Sequence, residues 1–221
     1  MFLCLLLLEW RLRLSGVVTM ILKTLGKLAM LALLGGALAG CIDAKVDVEL
    51  LSRSTAQAVT TQVMGADFYT MIKMNAEAMG DKEPAEDQFC AKGELSENSD
   101  GTASCVIEEQ GRFSTLRMGA KRRHLRFTPE GDDLVRVALP IAGMKSEIGA
   151  DQAMDEETRK MVEAFFAGRG LSIRFGGLEV VETNMKLAED GRSAEQKIMF
   201  LDLLRDKEDL PSEYFAVVRV P

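Results

Sequence analysis

A chain of 221 residues that is 47% hydrophobic can build a folded core, which excludes a disordered chain. Its formal net charge of −7 excludes general nucleic-acid binding, which needs a basic face. One histidine and four cysteines leave few ligands for a metal centre, and no metal or cofactor is expected.

Residues 28–39 (LAMLALLGGALA) form an uncharged apolar run with Lys23 and Lys27 just ahead of it. A basic stretch, a short apolar stretch and a small-residue cleavage site make a secretory signal. The run is shorter than the residue count a spanning helix needs, about 20, and Gly35-Gly36 weakens helix formation near its end. It closes on Leu38-Ala39-Gly40-Cys41, small residues leading straight into a cysteine, which is the pattern of a bacterial lipoprotein signal. Cys41 is therefore expected to become the first residue of the mature chain and to carry the lipid. Two or more acyl chains give stable anchoring.

Upstream, a second apolar stretch over 2–8 is broken by Glu9, Arg11 and Arg13. Residues 1–19 read as an upstream start-site extension, 20–40 as the signal peptide and 41–221 as a single periplasmic domain tethered through Cys41. A transmembrane hairpin is the other reading of the N-terminal region, and those three charges oppose it. An Asp directly after the lipidated cysteine resembles an inner-membrane retention signal. Ile42 stands there instead, which favours the outer membrane. Removing 1–40 takes away four basic residues and one acidic residue, leaving a net charge of −10.

The alternation of Val46, Val48 and Leu50 with Asp47 and Glu49 predicts a half-buried strand over 45–51. The Thr- and Val-rich stretch 55–63 is expected to return antiparallel to it. Phe68, Met71, Ile72 and Met79 fall at helical spacing and predict a helix over 66–78, with Asp67 in its first turn complementing the dipole. A charged loop over 81–87 follows.

Cys90 and Cys105 are an even pair in an oxidising compartment and are expected to form a disulfide. It would close a loop rich in turn residues (Gly93, Asn98, Asp100, Gly101) and contribute roughly 3 kcal/mol in the loop-entropy model. A strand is expected over 102–108, then one or two helical turns over 112–118. Residues 122–128 and 134–139 read as a hairpin through Pro129-Glu130-Gly131-Asp132.

The Gly- and Ala-rich stretch 141–151 reads as a loop or flap. Asp155, Glu156 and Glu157 open a second helix whose apolar stripe is Met161, Val162, Phe165 and Phe166, closed by Gly168 and Gly170. Strands are expected over 171–175, 179–187, 193–200 and 214–220, the middle pair joined through Glu189-Asp190-Gly191-Arg192. Residues 201–204 read as a short turn of helix or the end of a strand. The fold class is α+β, an antiparallel sheet of about eight strands with two main helices packed on one side.

The order of these pieces is similar to that of the LppM-type bacterial lipoproteins, a group of envelope proteins. A lipobox cysteine leads into Val46-Asp47-Val48-Glu49-Leu50, a Thr-rich strand and a helix. Later, Leu171-Ser172-Ile173-Arg174-Phe175-Gly176-Gly177 leads to Val180-Val181-Glu182-Thr183-Asn184 and a strand ending in Leu201-Asp202-Leu203-Leu204. The resemblance implies a lipid-binding module and carries no catalytic residues.

Arg112, Arg117, Lys121, Arg122, Arg123 and Arg126 occur with no acidic residue among them in an otherwise acidic chain. This run is the candidate patch for an anionic ligand, since guanidinium suits phosphate. The other reading is a solvated strand face paired with acidic neighbours. His124, inside the run, lacks Cys or His partners. Neither a nucleophile motif nor a phosphate loop is present, and the carboxylate pairs Glu108-Glu109 and Asp132-Asp133 read as exposed charge. No catalytic residue is assigned. Met64, Met71, Met74 and Met79 read as core, with an adaptable acyl-binding surface as the other reading. The expectation is a non-catalytic, lipid-anchored envelope protein that binds a lipid-like ligand or an envelope partner. The alternatives are a lipoprotein acting only by protein contact and an unrecognised hydrolase.

Overall fold

The computed structural model describes residues 43–79, 89–116, 125–148, 150, 154–205 and 209–221. Cys41 and the signal lie outside these residues. Among them are eleven strands and four helices, so the α+β class holds. The strands form two sheets of seven and four rather than one of about eight.

The large sheet is built outward from β1 (Asp43–Leu50), whose alternating pattern buries Ala44, Val46, Val48 and Leu50 on one face. On one side β1 pairs antiparallel with β2 (Thr55–Met64), from Asp43↔Val63 to Leu50↔Ala56. On the other it pairs with β7 (Gly170–Gly176) in parallel, from Ala44↔Leu171 to Glu49↔Gly176. That parallel pair departs from the antiparallel sheet expected. Residue alternation is the same in both kinds of ladder, so the pattern of β1 specified a buried face but not the direction of its neighbour.

Beyond β2 lie β4 (Ala103–Arg112) and the short β3 (Glu94–Glu97). Beyond β7 lie β10 (Ser193–Met199) and the two-residue β9 (Lys186–Leu187). The strand expected over 102–108 therefore runs on to Arg112, and β3 hairpins onto it inside the disulfide loop. The Cys90–Cys105 bond is formed, with Cα atoms 5.5 Å apart. Helix α1 (Ala66–Met79) packs Tyr69 with Met64 and Ala103 beside it, joined by Phe68, Ile72, Phe89 and Leu95.

The small sheet runs β5 (Arg126–Glu130), β6 (Leu134–Pro140), β11 (Glu213–Arg219), β8 (Glu179–Thr183). β5 and β6 make the expected hairpin, turning at Gly131 with φ +64°. The single strand expected over 179–187 is divided between the sheets, β8 pairing with β11 and β9 with β10. Asn184 holds the switch. Its Nδ2 donates to the Glu213 carbonyl at 2.8 Å and its Oδ1 accepts from Phe215 N at 2.9 Å, so one amide replaces the backbone ladder. The other junction is Gly177, where a Cβ would stand 2.6 Å from Val218 Cγ1. Only glycine lets β7 pass that close to β11.

Residues 141–147 are helix α2 (Ile141–Glu147), not the loop expected. Ile141, Met144 and Ile148 are buried at helical spacing, and this outweighs the Gly and Ala content around them. Helix α3 (Glu156–Phe166) is capped by Asp155, whose Oδ1 accepts from Thr158 N at 2.8 Å. Its expected apolar stripe is only partly buried: Phe166 is inside, whereas Met161 and Phe165 are exposed. Helix α4 (Phe200–Leu204) follows β10 and buries Leu203.

Phe175 and Thr60 sit on the same face of the large sheet, at 0% and 1% exposure. Phe175→Ala is expected to cost about 3–5 kcal/mol in urea unfolding, because the site is fully packed. Thr60 Oγ1 is buried without a hydrogen-bond partner among the described residues. Thr60→Val is therefore expected to stabilise by roughly 1 kcal/mol in the same assay, the isostere removing an unpaired hydroxyl.

Candidate functional site

Strand direction sorts the candidate residues to two ends of the large sheet. The eight residues of β1 hold those ends roughly 23 Å apart at about 3.3 Å per residue. The Asp43 end holds the start of α1, the start of β7 and the end of β10. Asp43 is fixed there, its Oδ1 accepting from Gly170 N at 3.1 Å.

The opposite end holds the described part of the basic run. Arg112 closes β4 and Arg126 opens β5, both exposed. Phe113 and Phe127, the residues next to them, stack with centroids 4.3 Å apart and planes 9° from parallel. Two arginines from different sheets are thereby brought to one edge. Arg53, in the turn between β1 and β2, joins them: its Nη2 donates to the Gly131 carbonyl at 2.7 Å, and Phe113 N donates to the Ser54 carbonyl at 3.0 Å. Arg53 is far from the basic run in sequence, and only the register Thr55↔Arg112 brings it there. Arg117, Lys121, Arg122, Arg123 and His124 lie outside the described residues. Arg53 meets β5 at its turn end, beside Gly131, and Arg126 stands at its other end, so the guanidiniums are separate points at which phosphate or carboxylate oxygens can be engaged.

The methionines divide. Met64 is fully buried, but Met71 and Met74 are 45% and 64% exposed, so the core reading fails for those two. The spacing i, i+3 places them together on the side of α1 away from Tyr69 and Ile72. On the buried side, Tyr69 Oη and Lys73 Nζ both donate to Glu97 Oε1, at 2.8 and 2.9 Å. These bonds, Lys73 first, hold the Glu97 carboxyl below its ordinary range.

Between α3 and α4 lies a solvent-open groove of about 290 Å³. Met154, Val162 and Leu204 form its apolar lining, and Arg159, Glu163 and Arg205 its polar part. Glu163 accepts from Arg205 at 2.7 Å, which lowers the carboxyl pKa and raises that of the guanidinium. Its volume is at the lower end of small-molecule sites, about 300–1,000 Å³.

The adjacent carboxylates do not assemble a two-carboxylate site. Glu108 and Glu109 leave opposite faces of β4, and Asp133 is bound to Arg219. Among the described residues no group of three or more His, Cys, Asp or Glu is placed to hold a metal ion. Nor is any helix there long and apolar enough to cross a membrane.

No protein-family model matches the chain, and neither does any curated protein. Among solved structures it is similar to the folded domain of the Mycobacterium tuberculosis LppM protein, determined by NMR. The TM-score is 0.41 at 10% identity, covering 82% of this chain and 91% of that one. That is the group whose strand order the sequence resembles, and a likeness of this size carries neither a family assignment nor a function.

The lowered Glu97 pKa has a definite sign. A carboxylate depressed in the folded state contributes stability that is fully present above its unfolded pKa and is lost as pH falls through the folded pKa. Amide hydrogen exchange in α1 is therefore expected to quicken as pH drops below the ordinary carboxylate range, after correction for intrinsic exchange. Glu97→Gln is expected to flatten that acid-side dependence. An unchanged profile in the variant would assign the dependence to other groups.

Proposed function

We propose that this protein is a lipid-anchored bacterial envelope protein whose domain is non-catalytic and binds a lipid-like ligand or an envelope partner. The observation that carries the reading is the junction at Cys41. A basic and then apolar signal ends in Leu38-Ala39-Gly40-Cys41, and the sheet begins at Asp43. The Cys90–Cys105 disulfide fits the oxidising side of the membrane. Ile42 favours the outer membrane.

For the binding role, the geometry supports contact through surfaces. Arg53, Arg112 and Arg126 stand at the end of the sheet away from Asp43, so they suit an acidic partner reaching the domain from beyond the anchoring membrane. The exposed Met71 and Met74 favour a second reading, an assembly lipoprotein acting by protein contact alone, because flexible thioethers adapt to apolar partners.

The test is the intact mass of the full chain expressed in a bacterial host and purified from its membranes. Expected is the mass of residues 41–221 plus a diacylglyceryl group and an amide-linked acyl chain, two hydrogens light for the disulfide. Cys41→Ser is expected to lose the lipid mass, and density fractionation is expected to put the wild-type chain with the outer membrane. An unprocessed 221-residue mass would refute the anchor.

A further inference from the structure

We propose that the C-terminal half of α3 lies against the lipid surface in which Cys41 is anchored, with Met161, Phe165 and Arg169 in the interface. The proposal rests on the reading of Cys41 as lipidated and adds to it which surface of the domain faces the bilayer.

Covalent reach supplies the first constraint. A residue spans at most about 3.6 Å, so the two steps from Cys41 to Asp43 keep their Cα atoms within roughly 7 Å. Asp43 cannot swing away from the domain, being paired with Val63 and bonded to Gly170 N. The Asp43 end of the large sheet is therefore held at the membrane, and its opposite end stands off.

Helix α3 finishes at that end. Phe166 precedes Gly170 by four residues, and the Arg169 carbonyl accepts from Phe200 N at 3.1 Å. The Phe166 ring lies 5.3 Å from Phe200 and 5.1 Å from Phe165, so three rings run outward from the strand ends at Gly170 and Met199. The middle ring, Phe166, is buried, and Phe200 is half-buried. The outer one is 36% exposed, and Met161, one turn back, is 52% exposed, with Ala164 and Ala167 open beside them.

Cations border this apolar face. The Arg169 guanidinium sits 4.7 Å over the Phe165 ring, and Lys160 is exposed one residue before Met161. Of the carboxylates of α3, Glu156 pairs with Lys160 at 2.9 Å, Glu157 stands one turn before Met161, and Glu163 is tied to Arg205, so beyond Met161 the face itself carries no carboxylate. An apolar helix face flanked by Arg and Lys is the composition that settles into a bilayer interface, with long cations reaching back to the headgroups.

The sole tryptophan, Trp10, precedes Cys41, so the mature chain contains none and an introduced indole reports alone. The experiment uses full-length chains purified from membranes, each checked by mass for acylation. They are placed in vesicles of phosphatidylethanolamine and phosphatidylglycerol with brominated acyl chains. Phe165→Trp is compared with Leu178→Trp, which is as accessible at 47% but follows Gly176 at the opposite end of the sheet. The F165W indole, seated about 5–10 Å into the interface, is expected to lose roughly half its emission and shift to the blue, and the L178W indole to be unaffected. Met161→Trp repeats the measurement should F165W fold poorly. An acylated chain with equal quenching at both positions would overturn the surface while leaving the anchor standing. A chain without the acyl mass would overturn the anchor, and this proposal with it.

Discussion

Burial of one face of β1 is the constraint on which the rest of the large sheet depends. Val46, Val48 and Leu50 are at most 2% exposed, and both neighbours of the strand take their register from it. A one-residue slip would turn Asp47 and Glu49 into that buried layer. The burial of those apolar side chains, each worth about 1.5–3 kcal/mol, thus fixes β2 on one side and β7 on the other. Through β2 it also fixes where Arg112 and Arg53 emerge. Through β7 it fixes where α3 must end.

Because β1 is central and runs away from Asp43, the functional surfaces acquire a polarity. Arg53 and Arg112 stand at one end, and the open apolar face of α3, with Arg169 beside it, at the other. The two sheets are joined near the basic end, where Gly177 passes β11 and the Phe113–Phe127 stack bridges β4 to β5. Asn184 supplies the second junction by replacing ladder bonds with its amide, so a continuous apolar-alternating stretch serves two sheets without leaving the Phe215 backbone N–H unpaired.

The region of α1, β3 and the start of β4 is held differently. Its buried cluster is small (Met64, Tyr69 and Ala103), and a disulfide and the Tyr69–Glu97–Lys73 contacts supplement it. A crosslink limits the unfolded chain where apolar burial is modest. This arrangement leaves the outer side of α1 free to present methionines rather than bury them.

The sequence by itself determined the local elements whose cause is local. Alternation in 43–50 gave a strand, the spacing of Phe68 and Ile72 a helix, Gly131 and Gly191 their turns, and Asp155 a helix start. Cys90 and Cys105 were readable as a pair because composition left them no other partner. Tertiary structure alone decided what depends on distant partners. The parallel pairing of β1 with β7 leaves no trace in either strand's pattern. The division of 179–187 between two sheets turns on an amide reaching residues about thirty positions away. Residues 141–147 became a helix because Ile141, Met144 and Ile148 found a core to enter, whereas among the described residues Met161 and Phe165 remain exposed, Phe165 covered only in part by Arg169. Periodicity states which side chains share a face; only the assembled fold states whether that face is covered.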